Sequence, residues 1–152
     1  MKSWLMFVLM TVLCWGAYVP TLHYGQQAFS KSAGALRAFL CVGIAYFLVA
    51  VLVPLGLILS GKEPLEFNGK AVTSSLIAGA LGAVGALGII LALKAGARPI
   101  YVAPVVFAGA PVVNTLVSMV WHRPEKAPSP YFFLGLILAA TGAMLVLRFK
   151  PS

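Results

Sequence analysis

Acidic residues are nearly missing from this chain of 152 residues. It contains no aspartate, and its three glutamates, Glu63, Glu66 and Glu125, fall in short polar stretches between apolar runs. A pair of carboxylates for general acid–base catalysis is therefore missing from the apolar parts. A buried carboxylate to hold an organic cation or a coupling proton inside a membrane is missing there as well. These absences argue against a hydrolase and against proton-coupled export of cations.

Cysteine and histidine are almost as scarce, with two of each. Cys14 and Cys41 lie inside apolar runs without a histidine or carboxylate at metal-ligand spacing, which is typical of small buried hydrophobic residues. His23 and His122 fall at the ends of apolar runs and have no serine or cysteine to activate. No glycine-rich phosphate loop is present. We therefore expect no enzyme activity, no catalytic residue, no metal and no cofactor.

Apolar residues are what the chain has in abundance. Hydrophobic residues make up 61% of it and charged residues only 9%, and its mean hydropathy is +1.00. Soluble proteins carry roughly a quarter charged residues, so the composition predicts an all-α integral membrane protein with a single transmembrane domain over 1–152. The net charge of +8 comes from Lys and Arg in short loops and chain ends. It indicates contact with membrane lipid rather than nucleic acid.

Five apolar runs predict five transmembrane helices, at 4–24, 36–59, 71–93, 100–121 and 131–148. Pro20 interrupts the first run, and the polar stretch from His23 to Lys31 closes it. No small-x-small cleavage motif follows this run, so we expect it to be retained as a helix rather than removed as a signal peptide. Five spans place the two termini on opposite sides of the membrane.

The run 100–121 contains Pro104, Pro111 and Asn114 among its apolar residues. Pro111 would lie ~16 Å along the helix from Ile100, near the middle of a hydrocarbon core ~30 Å thick. Proline has no N–H, so the Phe107 carbonyl loses its helical donor at that depth. Helical spacing predicts one stripe that faces the protein interior, formed by Pro104, Phe107, Pro111, Asn114 and Ser118. The alternative is a kinked packing helix in which Asn114 bonds a neighbouring helix.

Other polar and aromatic residues fall at the same depth. The predicted substrate-binding residues of this middle layer are Trp15, Tyr18, Tyr46, Pro111 and Asn114. Aromatic faces and neutral hydrogen-bonding groups suit an uncharged polar solute.

Small residues recur in two other spans. Gly79, Gly82, Gly85 and Gly88 predict a central packing helix, because small residues let membrane helices approach closely. In the last span, the strip Gly135, Ala139 and Ala143 has a four-residue spacing. We expect this strip to form an oligomer contact; the alternative is packing within one chain.

Several motifs resemble the drug/metabolite transporter superfamily, in its EamA-like group. They are LALKAG at 91–96, APVVFAGAPVVNTLVSMVW at 103–121 and YFFLGLILAATGAMLVL at 131–147. Cys14-Trp15-Gly16 with Pro20 is similar to the first helix of the family's sugar and ureide uptake members. The resemblance implies ten helices in two inverted five-helix repeats, with substrate at the midplane, and this sequence supplies one repeat. The family's small multidrug members carry a glutamate in the first helix, whereas residues 6–18 here have none.

These features predict a half-size transporter that moves a small polar, uncharged metabolite by alternating access as a dimer, in a bacterial inner membrane. The alternative is a membrane subunit that does not transport and stabilises a larger partner. The Lys and Arg residues divide five against six between the two sides, so neither orientation is favoured. We therefore expect dual topology and an antiparallel homodimer, or a heterodimer with a similar five-helix chain.

Overall fold

The computed structural model describes residues 3–29, 33–121 and 126–151. All regular structure in these ranges is helical. The elements, in chain order, are α1 (Ser3–Ala28), α2 (Gly34–Phe47), a π-helical segment (Leu48–Leu52), α3 (Val53–Leu59), α4 (Gly69–Lys94), α5 (Pro99–Trp121) and α6 (Pro130–Arg148). Together α2, the π-helical segment and α3 form one span. Within the described residues, five helical spans are long and apolar enough to cross a membrane, the number that the sequence predicts.

The first helix is longer than predicted. The expected interruption at Pro20 and the end near Tyr24 are both wrong, because α1 runs through Pro20 to Ala28. Its last turn is held by a tertiary contact: the Gln26 side chain donates from Nε2 to the Ile90 carbonyl at 3.2 Å. The polar residues after His23 therefore extend the helix rather than end it. The other four spans begin and end within about two residues of their predicted limits.

Large apolar side chains lie mostly on the outside of this chain. Leu13 is 65% exposed, Leu81 is 67% exposed and Leu138 is 62% exposed. Few apolar side chains are buried; they include Leu22, Ala35, Ala38, Ile90 and Leu93. Such a surface is unfavourable in water, because the transfer of each Leu side chain from water to an apolar medium is favourable by about 1.5–3 kcal/mol. The chain is an all-helical integral membrane protein, with lipid as the solvent of its helices.

Helix ends are set by specific residues. The Asn68 side chain accepts a hydrogen bond from the Ala71 N–H at 2.8 Å and so caps the start of α4. After α4 ends at Lys94, Gly96 adopts a φ of +96°. Only glycine takes that conformation without steric cost, so the chain reverses there. Pro99 then occupies the first position of α5, where its missing N–H costs nothing.

The chain divides into two compact units. One comprises Pro20–Gly96, and in it α2 packs on α4. The end of α1 joins this unit through the bond from Gln26 to the Ile90 carbonyl. Gly34, at the start of α2, lies so close to the Gln26 backbone carbonyl that a β-carbon would collide with it.

The other unit comprises the described parts of Met1–Val19 and Ala97–Ser152. In it α6 packs on α5, and the Lys150 ammonium lies 5.0 Å from the centre of the Tyr101 ring. The half-buried residues of α6 share one helical face, formed by Leu136, Ala139, Ala140 and Ala143. Ala139 and Ala143 therefore lie on the face suited to α5, which favours the alternative of packing within one chain.

The four glycines of α4 have free space where a side chain would extend. Among the described residues, no heavy atom lies within 4 Å of a β-carbon built on Gly79, Gly82, Gly85 or Gly88. A central packing role for this helix therefore stays a prediction; within the described residues α4 packs on α2 and accepts the bond from Gln26 of α1.

Candidate functional site

The centre of the predicted site is Pro111, in the middle of α5. The helix is continuous from Pro99 to Trp121 with both prolines inside it. Pro111 lies ~18 Å along the axis from Pro99, close to the midpoint of a helix ~33 Å long. A proline there gives the Phe107 carbonyl no N–H partner from position 111. An acceptor at this depth must be satisfied by protein or by water in a cavity.

Trp15 reaches the same helix from α1. It lies at the midpoint of the 26-residue helix Ser3–Ala28, and its ring centre is 5.9 Å from that of Phe107, with the ring planes tilted by 52°. Tilted aromatic pairs at this separation are attractive. Because Phe107 precedes Pro111 by one helical turn, the structure brings Trp15 to the predicted stripe of α5. Phe107 was not among the predicted substrate-binding residues, so their common cavity stays a prediction.

The indole of Trp15 is not enclosed by this contact. The residue remains 53% exposed, so one face of the ring is available to another molecule. Tyr18, nearly one turn further along α1, is half-buried, and its hydroxyl oxygen is shielded from solvent. The exposed aromatic surface at this level therefore belongs to Trp15 more than to Tyr18.

Asn114 and Pro111 are both exposed. Across the described residues, the Asn114 amide takes part in no hydrogen bond. The alternative, in which Asn114 bonds a neighbouring helix of its own chain, therefore finds no support in these ranges. An amide left without a partner in hydrocarbon costs several kcal/mol, on the order of 4–8 in the least polar media. Contact of the Asn114 side chain with water, a solute or a second protein chain would avoid this cost.

Tyr46 belongs to the other unit. It lies at the midpoint of the span Gly34–Leu59, and it is 55% exposed. The π-helical segment Leu48–Leu52 begins two residues later. Wide turns of this kind occur frequently at functional sites. The sequence pattern did not predict this segment. Pro54 is a signal for it, because proline withholds the N–H that the Ala50 carbonyl would accept.

No family model, no curated protein and no solved structure matches this chain. The resemblance to the drug/metabolite transporters therefore stays a prediction, carried by the motifs quoted above.

We call the α1–α5 surface the set of Trp15, Phe107 and Asn114, and the chemistry of this set is narrow. Trp15 offers an exposed indole, Asn114 offers an exposed neutral amide, and the Phe107 carbonyl lacks its helical donor because residue 111 is proline. Such groups bind through stacking and neutral hydrogen bonds, and nothing in this set would hold an ion pair. Among the described residues, no cluster of three or more His, Cys, Asp or Glu side chains is placed to hold a metal ion.

Proposed function

We propose that this protein is a half-size membrane transporter of the drug/metabolite transporter type, which carries a small, polar, uncharged metabolite. The observation that carries the proposal is Asn114, an exposed amide in the interior of a membrane-spanning helix. A helix that only faced lipid would gain from an apolar residue at this position. Polar residues inside a membrane span mark solute pathways as a rule.

We infer an uncharged solute because the described spans contain no acidic residue. Glu63 and Glu66 precede α4 in the described chain, and Glu125 lies outside the described residues. A cationic solute at mid-membrane needs an opposing carboxylate, because an uncompensated charge there costs about 2.5–3.5 kcal/mol or more. The groups of the α1–α5 surface supply hydrogen bonds and aromatic contacts instead. A polyol, sugar or amide fits these groups.

A second chain completes the proposed transporter. Pro111 and Asn114 are exposed in the described part of their own unit, and a transporter needs a counterpart across the solute path. The near balance of Lys and Arg between the two sides favours insertion in both orientations. Two antiparallel copies would then form the inverted pair of five-helix units that the family resemblance implies.

The test is solute entry into liposomes. Purified protein is reconstituted, the vesicles are shrunk by an external pulse of one uncharged solute, and reswelling is followed by light scattering. A panel of polyols, hexoses, urea and small amides covers the class. Reswelling faster than in protein-free vesicles for at least one solute is expected.

Two leucine variants give the matched comparison. Asn114→Leu should abolish the fast phase, whereas Val113→Leu, one position away on the exposed surface, should retain it. Transport that survives Asn114→Leu unchanged would contradict the assigned role. If the protein gives no fast phase with any solute of the panel, the alternative of a subunit that does not transport takes its place.

A further inference from the structure

A second polar site lies at one end of the unit Pro20–Gly96. The end of α1, the start of α2 and the end of α4 enclose a cavity of about 470 Å³, whose lining includes His23, Gln26, Gly34, Ala35, Leu93 and Lys94. His23 lies ~30 Å along α1 from Ser3, which places the cavity at the level of the lipid headgroups rather than at mid-membrane.

Gln26 gives this cavity an unused hydrogen-bond acceptor. The residue is only 8% exposed, and its Nε2 donates to the Ile90 carbonyl at 3.2 Å. That bond fixes the amide orientation, because the Ile90 carbonyl can only accept. Among the described residues, neither this Oε1 atom nor Nδ1 of His23, one turn earlier on the same helix, has a hydrogen-bond partner. Buried polar atoms of this kind are normally paired. Gln26 Oε1 can only accept, and His23 Nδ1 accepts when the ring proton lies on Nε2, so the two atoms fit a ligand that donates hydrogen bonds.

The other side of the cavity offers positive charge and donors. Gly34 and Ala35 form the first turn of α2, and its N-cap residue Ala33 contributes no side-chain hydrogen bond. The first turn of a helix has N–H groups without intrahelical acceptors and carries a partial positive charge of about +0.5. Phosphate groups bind at such positions. The Lys94 side chain lines the same cavity and adds a full charge.

We propose that this cavity binds a phosphodiester that also carries a hydrogen-bond donor, as in the headgroup of phosphatidylethanolamine. The phosphate would lie against Lys94 and the start of α2, and the ammonium would donate to Gln26 Oε1 and His23 Nδ1. Phosphatidylcholine has the same phosphate and the same net charge, but its quaternary ammonium has no N–H. Discrimination between these two lipids reports on the N–H donors and on the bulk of the three N-methyl groups, and substitution of Gln26 or His23 separates the two effects.

The test is native mass spectrometry of the detergent-purified protein, titrated with each lipid at matched acyl chains. Phosphatidylethanolamine should bind about tenfold more tightly than phosphatidylcholine, since hydrogen bonds to buried acceptors are at stake. Soluble phosphoethanolamine is added as a competitor. Displacement at millimolar concentration would show that the free headgroup suffices, and no displacement would show that the acyl chains of a lipid are needed. Equal affinity for the two lipids would overturn the proposal.

A pair of lysine variants distinguishes a specific binding site from general attraction between the lipid phosphate and positive charge. Lys94→Gln should weaken both lipids, whereas Lys70→Gln, the same change at the opposite end of α4, should leave both affinities unchanged. Gln26→Leu should bring phosphatidylethanolamine down to the level of phosphatidylcholine. His23→Leu repeats this test without breaking the bond to the Ile90 carbonyl, in case Gln26→Leu does not fold. Equal losses for Lys94→Gln and Lys70→Gln would contradict a site at this cavity.

Discussion

The substitution Gly34→Ala tests the close contact between α2 and α1. If the contact exists, the variant loses stability, although alanine ordinarily stabilises a helix relative to glycine. A β-carbon at position 34 would meet the backbone carbonyl oxygen of Gln26 well inside the sum of their van der Waals radii. That carbonyl belongs to α1 and cannot rotate away as a side chain would. The start of α2 must therefore shift, and overpacking of this kind costs about 1–3 kcal/mol. The gain in helix propensity is smaller, below about 1 kcal/mol.

Gly43→Ala is the matched control on the same helix. No heavy atom of the described chain lies within 4 Å of a β-carbon at that position, so only the propensity gain of up to about 1 kcal/mol remains. Because both variants share the propensity gain, we expect them to differ in unfolding free energy by the overpacking cost of about 1–3 kcal/mol, with Gly34→Ala the less stable. Unfolding of the purified protein by titration with a denaturing detergent, followed by circular dichroism, measures the difference. If Gly34→Ala is as stable as Gly43→Ala, the close approach of α2 to α1 is wrong.

Three further predictions concern the other unit and the orientation of the chain. A double-mutant cycle with Trp15→Ala and Phe107→Ala should give a coupling energy of about 0.5–1.5 kcal/mol, and additive effects on unfolding would refute the contact. Ala139→Leu should destabilise the monomer by about 1–3 kcal/mol because it overpacks the face toward α5, whereas Gly135→Leu, which points into open space, should not. Reporters active only inside or only outside the cytoplasm, fused to the carboxyl terminus, should both give signal. A single active reporter would rule out the antiparallel homodimer.

Sequence periodicity and length predicted the helices well, because a bilayer imposes one length on every span and hydropathy measures it directly. The exception was the end of α1, where hydropathy ends the span near Tyr24 but the helix continues to Ala28. The reason is a contact between residues 64 positions apart, from Gln26 to Ile90. No local pattern encodes such a pair.

The candidate site was predictable in depth but not in its contacts. Counting residues places Trp15, Tyr46 and Pro111 near the middle of their membrane spans, because the rise per residue of a helix is fixed. The contact of Trp15 with Phe107 depends on how the helices are rotated, which composition does not determine. The headgroup-level cavity escaped the sequence analysis, since His23 and Lys94 each have the ordinary character of interfacial residues. Only the fold shows that Gln26 lies between them with an unpaired oxygen.

The central claim is that the Pro111–Asn114 face of α5 lines a wet solute path. Its most direct test is thiol labelling of single cysteines at Asn114 and Val113, in a protein whose Cys14 and Cys41 have been replaced by serine. Proteoliposomes are treated with a charged, membrane-impermeant methanethiosulfonate reagent, and the labelled fraction is measured by mass. We predict that Asn114→Cys is labelled and that Val113→Cys is protected by lipid. Protection of Asn114→Cys together with labelling of Val113→Cys would contradict the account.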